Sequence, residues 1–231
     1  MLCSVGLPTC MEGMMYPVPF ATPDQVIEIA LWAEELGYHS VWGNDHMTTQ
    51  KYVRESFTHP PNFWEPLITY SFIAAQTSKL IFGTGLLVLP MRRDVVVTAK
   101  QIATLDQFCK GRLLLAVGLG AYREEFEALH PNWKVQRGEL LEESVQALRV
   151  LFDEHDASWH GKYLEFENVQ MYPKHRQDPL PIYFGGNNPN QVRRAATLGQ
   201  GWMPAGMPIE QLSRMIAKLK SDAEACRRAG E

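Results

Sequence analysis

The chain has 231 residues, 45% hydrophobic and 21% charged, an ordinary composition for a soluble globular protein able to bury a sizeable core. A formal net charge of −4, with no basic run or basic amphipathic helix, argues against a nucleic-acid partner. No stretch of about 18 apolar residues exists to span a membrane. Cys3, Cys10, Cys109 and Cys226, without metal spacing, read as reduced, mostly packing thiols in a cytoplasmic protein.

Leu2–Pro8 is a short apolar strand rather than a signal peptide, followed by a Pro- and Met-rich loop, Thr9–Ala21. Thr22-Pro23-Asp24-Gln25 opens a helix as a capping box with proline at its first position. Val26, Ile29, Ala30, Ala33 and Leu36 give its inward face, and Gly37 ends it. Ser40–Gly43 is a second strand that runs directly into Asn44-Asp45-His46. An aromatic, proline-rich loop covers Met47–Glu65, and a second helix covers Pro66–Ser78.

Leu80–Pro90 is a third strand, apolar on both sides as in a sheet covered on both faces, with Gly83 and Gly85 inside it. Asp94 caps a helix to about Cys109, and Arg112–Gly118 is a fourth buried strand. Helices at Glu124–Leu129 and Gly138–Phe152 follow. A hairpin over Ser158–Tyr172, turning at Gly161-Lys162, interrupts the rhythm as an insertion at about 155–178. Pro181–Phe184, a helix over Pro189–Leu198, Gly201–Met203 and a helix over Ile209–Arg228 complete the chain.

Strand–helix repetition at this spacing means parallel βα units, either an open doubly wound sheet or a closed barrel. Leu7-Pro8-Thr9-Cys10 carries no Gly-rich phosphate turn of the dinucleotide-binding kind. Polar and glycine residues cluster instead at the C-terminal ends of strands two to six, where a barrel builds its active site.

Several residues there can carry chemistry. His46 at a strand end can move a proton near neutral pH, with Asp45 beside it to orient or charge it; a satisfied structural histidine is the alternative. Gly118-Leu119-Gly120 lets backbone approach a ligand. Glu124 is a candidate acid, whereas Glu125 reads as a first-turn charge favoured by the helix dipole. Gly185-Gly186-Asn187-Asn188 before Pro189 makes an anion site at a helix N-terminus, or an ordinary capped turn. Trp202 walls the pocket or simply packs. Asp45, His46 and Glu65 are too scattered for a convincing metal-ligand set, and no metal is expected.

The segments Ala33–His46, Thr77–Gly120, Arg123–Leu129, Arg137-Gly138, Glu142-Glu143, Trp159–Val169, Pro179–Pro189 and Gly199–Trp202 resemble, in order and spacing, the bacterial luciferase-like family. These are barrel oxidoreductases using reduced flavin mononucleotide (FMN) or the deazaflavin coenzyme F420. The resemblance implies a single (β/α)8 TIM-barrel type domain over residues 1–231. The alternative is an incomplete barrel: six strands can be placed, and family members usually continue for about two more βα units. It implies His46 near the flavin-type ring with Asp45 in support. A non-prolyl cis peptide at Gly85-Leu86 would lie beneath that ring, and Gly185–Asn187 would hold the cofactor's phosphate or ribityl tail.

Within the family the segment Gly185–Asn188 looks most like the F420-dependent branch. Arg92, Arg93, Arg193 and Arg194 are then candidate contacts for a polyglutamate tail, although all four also read as solvated charges. Arg137 reads as a pocket arginine or, preferably, a structural ion pair. The expected activity is hydride transfer between F420 and a small organic substrate. The alternatives are an FMN-dependent monooxygenase and a truncated, non-catalytic flavin-binding protein. A homodimer is expected, paired through the helices after strands two and three.

Overall fold

The computed structural model describes residues 2–8 and 21–229. Cys10 and the loop from Thr9 to Phe20 lie outside them. Six parallel strands form one curled sheet in the order β1-β2-β3-β4-β7-β8: β1 Ser4–Gly6, β2 Ser40–Gly43, β3 Ile81–Thr84, β4 Leu113–Val117, β7 Ile182–Gly185 and β8 Gly201–Met203. The fold is the barrel type expected from the sequence, present as six strands. An antiparallel hairpin, β5 Ala157–His160 and β6 Glu165–Val169, stands apart.

The helices are α1 Pro23–Glu35, α2 Lys51–Ser56, α3 Pro66–Ala74, α4 Val95–Phe108, α5 Arg123–Leu129, α6 Arg137–Asp153, α7 Pro189–Leu198 and α8 Ile209–Ala229. The α1 capping box forms as expected: the Gln25 N–H donates to Thr22 Oγ1 and the Thr22 N–H to Gln25 Oε1. Gly37, at φ +77°, ends the helix. Val26, Ala30 and Ala33 face inward, but Leu36, expected inward, is exposed. Val41, Phe82, Leu115, Ile182 and Phe184 are fully buried where the sheet meets its helices.

Three expectations need correction. The third strand is shorter than Leu80–Pro90. Its ladder stops at Thr84, Leu87 rejoins the sheet beside Val117, and Leu89–Met91 is a 3-10 turn. The bend occurs because the Gly85 N–H donates to Gly43 O on one side, while the Leu87 N–H donates to Ala116 O on the other. Second, the loop after His46 contains α2, whose cap comes from elsewhere in the chain. Third, of the described cysteines only Cys109 packs; Cys3 and Cys226 are exposed.

The two rims of the sheet differ. At the N-terminal rim, charged side chains tie loops together. Glu34 accepts N–H bonds from Ser78, Lys79 and Leu80, Arg112 donates to the carbonyls of Ala74, Thr77, Leu80 and Cys109, and Asp106 accepts from Arg176 and Gln177. Glu143 holds the hairpin turn through the N–H groups of Tyr163 and Leu164. The C-terminal rim is left open for a cavity.

Candidate active site

A cavity of about 660 Å³ sits over the C-terminal ends of the strands, within the usual range for a small-molecule site. The ends of β2, β3, β4, β7 and β8 each contribute: Asp45 and His46, Gly85 and Leu86, Leu119 and Gly120, Gly185 to Asn188, and Met203 to Gly206. Trp42, Glu125 and Gln191 complete the main walls.

The floor is Gly85-Leu86, joined by a cis peptide bond. Leu86 is enclosed by two glycines from neighbouring strands. A Cβ at Gly118 would sit 2.4 Å from Leu86 Cδ1, and one at Gly185 would sit 2.1 Å from Leu86 Cδ2. Gly118, expected to admit a ligand, therefore makes room for a side chain and does not line the cavity. At Gly85 a Cβ would find its nearest neighbours at 3.7 Å, so this position is open. Gly120 lines the wall at φ +79°.

His46 is held at Nδ1 by Glu125, whose carboxylate oxygens lie 3.0 and 3.2 Å away. Both side chains are buried. The Gln50 amide nitrogen contacts the same Nδ1. Phe63 packs edge-on to the imidazole at 5.6 Å between centroids, and Tyr122 lies at 6.1 Å.

Here the roles of two adjacent glutamates exchange. Glu125 reaches His46, whereas Glu124, the residue favoured from sequence, lies outside the cavity lining and accepts the Lys51 N–H at 2.6 Å, capping α2.

Asp45 does not orient His46 through any bond seen here. It accepts the Val88 N–H at 2.9 Å and Arg92 at 3.0 and 3.3 Å, while Arg92 also reaches Glu65 at 2.7 Å. Burial pushes the Asp45 carboxyl up from its ordinary value, against the pull of the Arg92 guanidinium and the Val88 N–H. This network fixes the β2 and β3 loops below the cavity.

Arg92 is consequently neutralised and buried, not offered to a tail. Arg193 and Arg194 both pair with Glu142, and Arg93 stacks over Trp133. Arg137 donates to the carbonyls of Leu119 and Gly120, supporting that wall; burial pulls its guanidinium down from its ordinary value.

The Gly185–Asn188 turn lies at the N-terminus of α7, as expected. Asn188 caps by accepting the Asn190 N–H, and the Gly186 N–H donates to Met203 O. Asn187 is bound to the backbone of Ala205, so its side chain pins the β8 loop. Trp202 donates to Gly186 O at 2.9 Å. Gln191, not singled out from sequence, donates to Gly185 O at 2.7 Å and accepts from Arg194 at 2.6 Å, bracing the turn from inside.

This cavity fits a flat ring with an anionic tail. The floor carries no Cβ at Gly85, the walls are largely apolar, and a glycine turn at a helix N-terminus offers dipole and backbone.

Residues 3–231 match the family described as luciferase-like monooxygenase. Among curated relatives, an F420-dependent glucose-6-phosphate dehydrogenase of Amycolatopsis mediterranei is 28% identical over 213 residues, covering 90% of this chain and 62% of the relative. The enzyme of the same name from Nakamurella multipartita is 30% identical over 183 residues, covering 78% of this chain and 52% of the relative. This chain thus spans only part of the length of both.

Among solved structures, the monooxygenase RslO1 from Streptomyces bottropensis superposes with a TM-score of 0.79 at 26% identity, covering 98% of this chain and 67% of that one. An F420-dependent secondary alcohol dehydrogenase, solved with an F420–acetone adduct, gives 0.81 at 23% identity, covering 98% and 65%.

Proposed function

The chain belongs to the luciferase-like monooxygenase family, and from that premise we propose that it is an oxidoreductase acting on a small organic substrate with F420. The observation that carries this reading is the buried His46–Glu125 pair set beside the Gly85-Leu86 floor of the cavity. The bound cofactor would supply or accept the hydride.

The chain's own residues do the rest. Leu86, wedged between Gly118 and Gly185, supports the ring from below. Gly185–Asn188 and the α7 dipole hold the anionic tail. Glu125 fixes the imidazole through Nδ1, so His46 exchanges a proton with the substrate through Nε2. The Asp45–Arg92–Glu65 network keeps the loops that carry His46 and Leu86 in register.

F420 is preferred over FMN because the two curated relatives described above are named as F420-dependent. The arginines considered from sequence do not support it, since three are paired with glutamate or aspartate. An FMN-dependent monooxygenase is the second reading, favoured by the likeness to RslO1.

Titration of this chain with F420 and FMN at fixed salt separates the two. Tighter FMN binding moves the protein to the monooxygenase reading, and no binding of either overturns both. In the active protein, His46→Ala should lower turnover about 100-fold or more with little change in cofactor affinity. Unchanged turnover returns His46 to a structural role.

We also propose a homodimer. The neighbouring helices α1, α3 and α4 expose Trp32, Ile68, Phe72 and Val97, with Ile68 62% and Phe72 64% accessible. A second copy would cover that apolar surface.

A further inference from the structure

Gln50 is fully buried, yet its Oε1 has no hydrogen-bond partner. Its Nε2 contacts His46 Nδ1, the nitrogen that Glu125 also holds. The two neighbours ask opposite things of that atom. A carboxylate accepts, so it favours Nδ1 carrying a proton. An amide N–H donates, so it favours Nδ1 bare.

Gln50 is also the N-cap residue of α2, but its side chain makes no capping bond. Glu124 supplies that cap from another helix by accepting the Lys51 N–H. The Gln50 amide is thereby kept off the helix end and on the imidazole. A buried polar group without a partner destabilises the fold, so its retention asks for a reason.

We propose that Gln50 is a positioning residue that follows the proton on His46. When Nδ1 is bare, the amide donates to it through Nε2. When Nδ1 carries a proton, the amide turns over by half a rotation and accepts through Oε1, the atom otherwise without a partner. Glutamine is the side chain that does both without changing charge, since its two ends have nearly the same shape. The ring is then held in one place in both states, while Glu125 biases it toward the state in which Nε2 accepts a proton. Because the amide sits with Nε2 on Nδ1, the donor arrangement is the preferred one, and Gln50 thereby limits how far that bias goes. This rests on the reading of His46 as the proton-transfer group.

The test uses ¹⁵N-labelled protein without cofactor, reading the His46 tautomer from its ring-nitrogen shifts. Gln50→Met keeps length and removes both hydrogen-bonding roles; Gln50→Glu keeps shape and leaves an acceptor. Both should move the tautomer ratio toward the Nδ1–H form, by about fivefold or more, a change of about 1 kcal/mol. The ratio staying within about twofold of wild type in a folded Gln50→Met or Gln50→Glu protein overturns the proposal. If Gln50→Met does not fold, Gln50→Glu decides alone.

In the turning-over enzyme Gln50→Met should lower kcat about 10- to 100-fold with KM nearly unchanged, as expected when a reacting group is misplaced. A raised KM with intact kcat would assign Gln50 to substrate binding and also overturn it. If His46→Ala leaves turnover intact, the proton-transfer reading fails, but the tautomer measurement still decides whether Gln50 governs the ring.

Discussion

Arg92→Met gives the sharpest test of how the site is supported. Asp45 is 3% exposed and accepts three N–H groups, two of them from Arg92. The substitution keeps the aliphatic stem but leaves the carboxylate with the Val88 N–H alone. Removing one partner of a buried ion pair typically destabilises by about 3–5 kcal/mol, because the other charge stays buried. Glu65, one-third exposed, rehydrates and adds less than about 1 kcal/mol. Asp45→Asn removes the stranded charge, so the double variant Asp45→Asn/Arg92→Met should recover about 2 kcal/mol or more relative to the sum of the single changes. Urea unfolding followed by tryptophan fluorescence reads all four proteins. The sign with pH is also fixed. Burial already raises the Asp45 carboxyl, and without Arg92 nothing charged opposes it. A carboxyl raised above its unfolded value destabilises the fold while ionised, so the Arg92→Met deficit should shrink as pH falls from ~8 to ~5. Additivity within about 0.5 kcal/mol across the cycle would refute the buried network.

Other outcomes follow from named contacts. Gly185→Ala places a methyl 2.1 Å from Leu86 Cδ2 and should lower stability by about 1–3 kcal/mol in thermal unfolding, with partial recovery on adding Leu86→Ala. Glu34 is held at about 2: burial pushes it up, but the N–H groups of Lys79, Ser78 and Leu80 and the Ser78 hydroxyl pull it further down. That stabilisation is present above the unfolded value of 4.5 and is lost as pH falls toward 2. Glu34→Gln should therefore lose about 1–2 kcal/mol at neutral pH, discounted for solvent screening, with the gap closing on acidification. The proposed homodimer predicts a wild-type dimer in sedimentation that Ile68→Asp with Phe72→Asp converts to monomer; a wild-type monomer at micromolar concentration would refute the pairing, and a dimer that survives the double substitution would place it elsewhere.

Much of the fold was legible because its signals are local. The α1 capping box, Asp94 and Asn188 as caps, and the apolar runs of β4 and β7 fix elements within a few residues. The errors arose where a distant segment decides. Leu80–Pro90 reads as one strand because nothing in it says that Gly43 and Ala116 will pull on Gly85 and Leu87 from opposite sides. Helix α2 has a poor N-terminal signal because its capping oxygen belongs to Glu124, 73 positions away.

The choice between Glu124 and Glu125 shows what periodicity still offered. At about 100° per residue, Glu124 lies nearly opposite the Phe126–Leu129 side of α5, while Glu125 flanks it. The Arg123–Glu127 pair marks the exposed face. Helical phase therefore favours Glu125 for the interior, and the dipole, which acts on both residues alike, does not distinguish them. Phase alone could not name His46 as the partner, because the 46–51 loop meets α5 only in the folded chain.

The glycines teach the same lesson in reverse. Gly118 and Gly185 were visible as glycines at strand ends, and each was read as facing a ligand. What approaches is Leu86, a residue of the same chain, which forms the floor of the cavity. Every element of that arrangement, from Trp42 to Gly206, lies within the residues that span 62% of the Amycolatopsis relative. The floor, the His46–Glu125 pair and Gln50 can therefore be tested for cofactor binding and tautomer control in this chain directly, whatever the source of its substrate specificity.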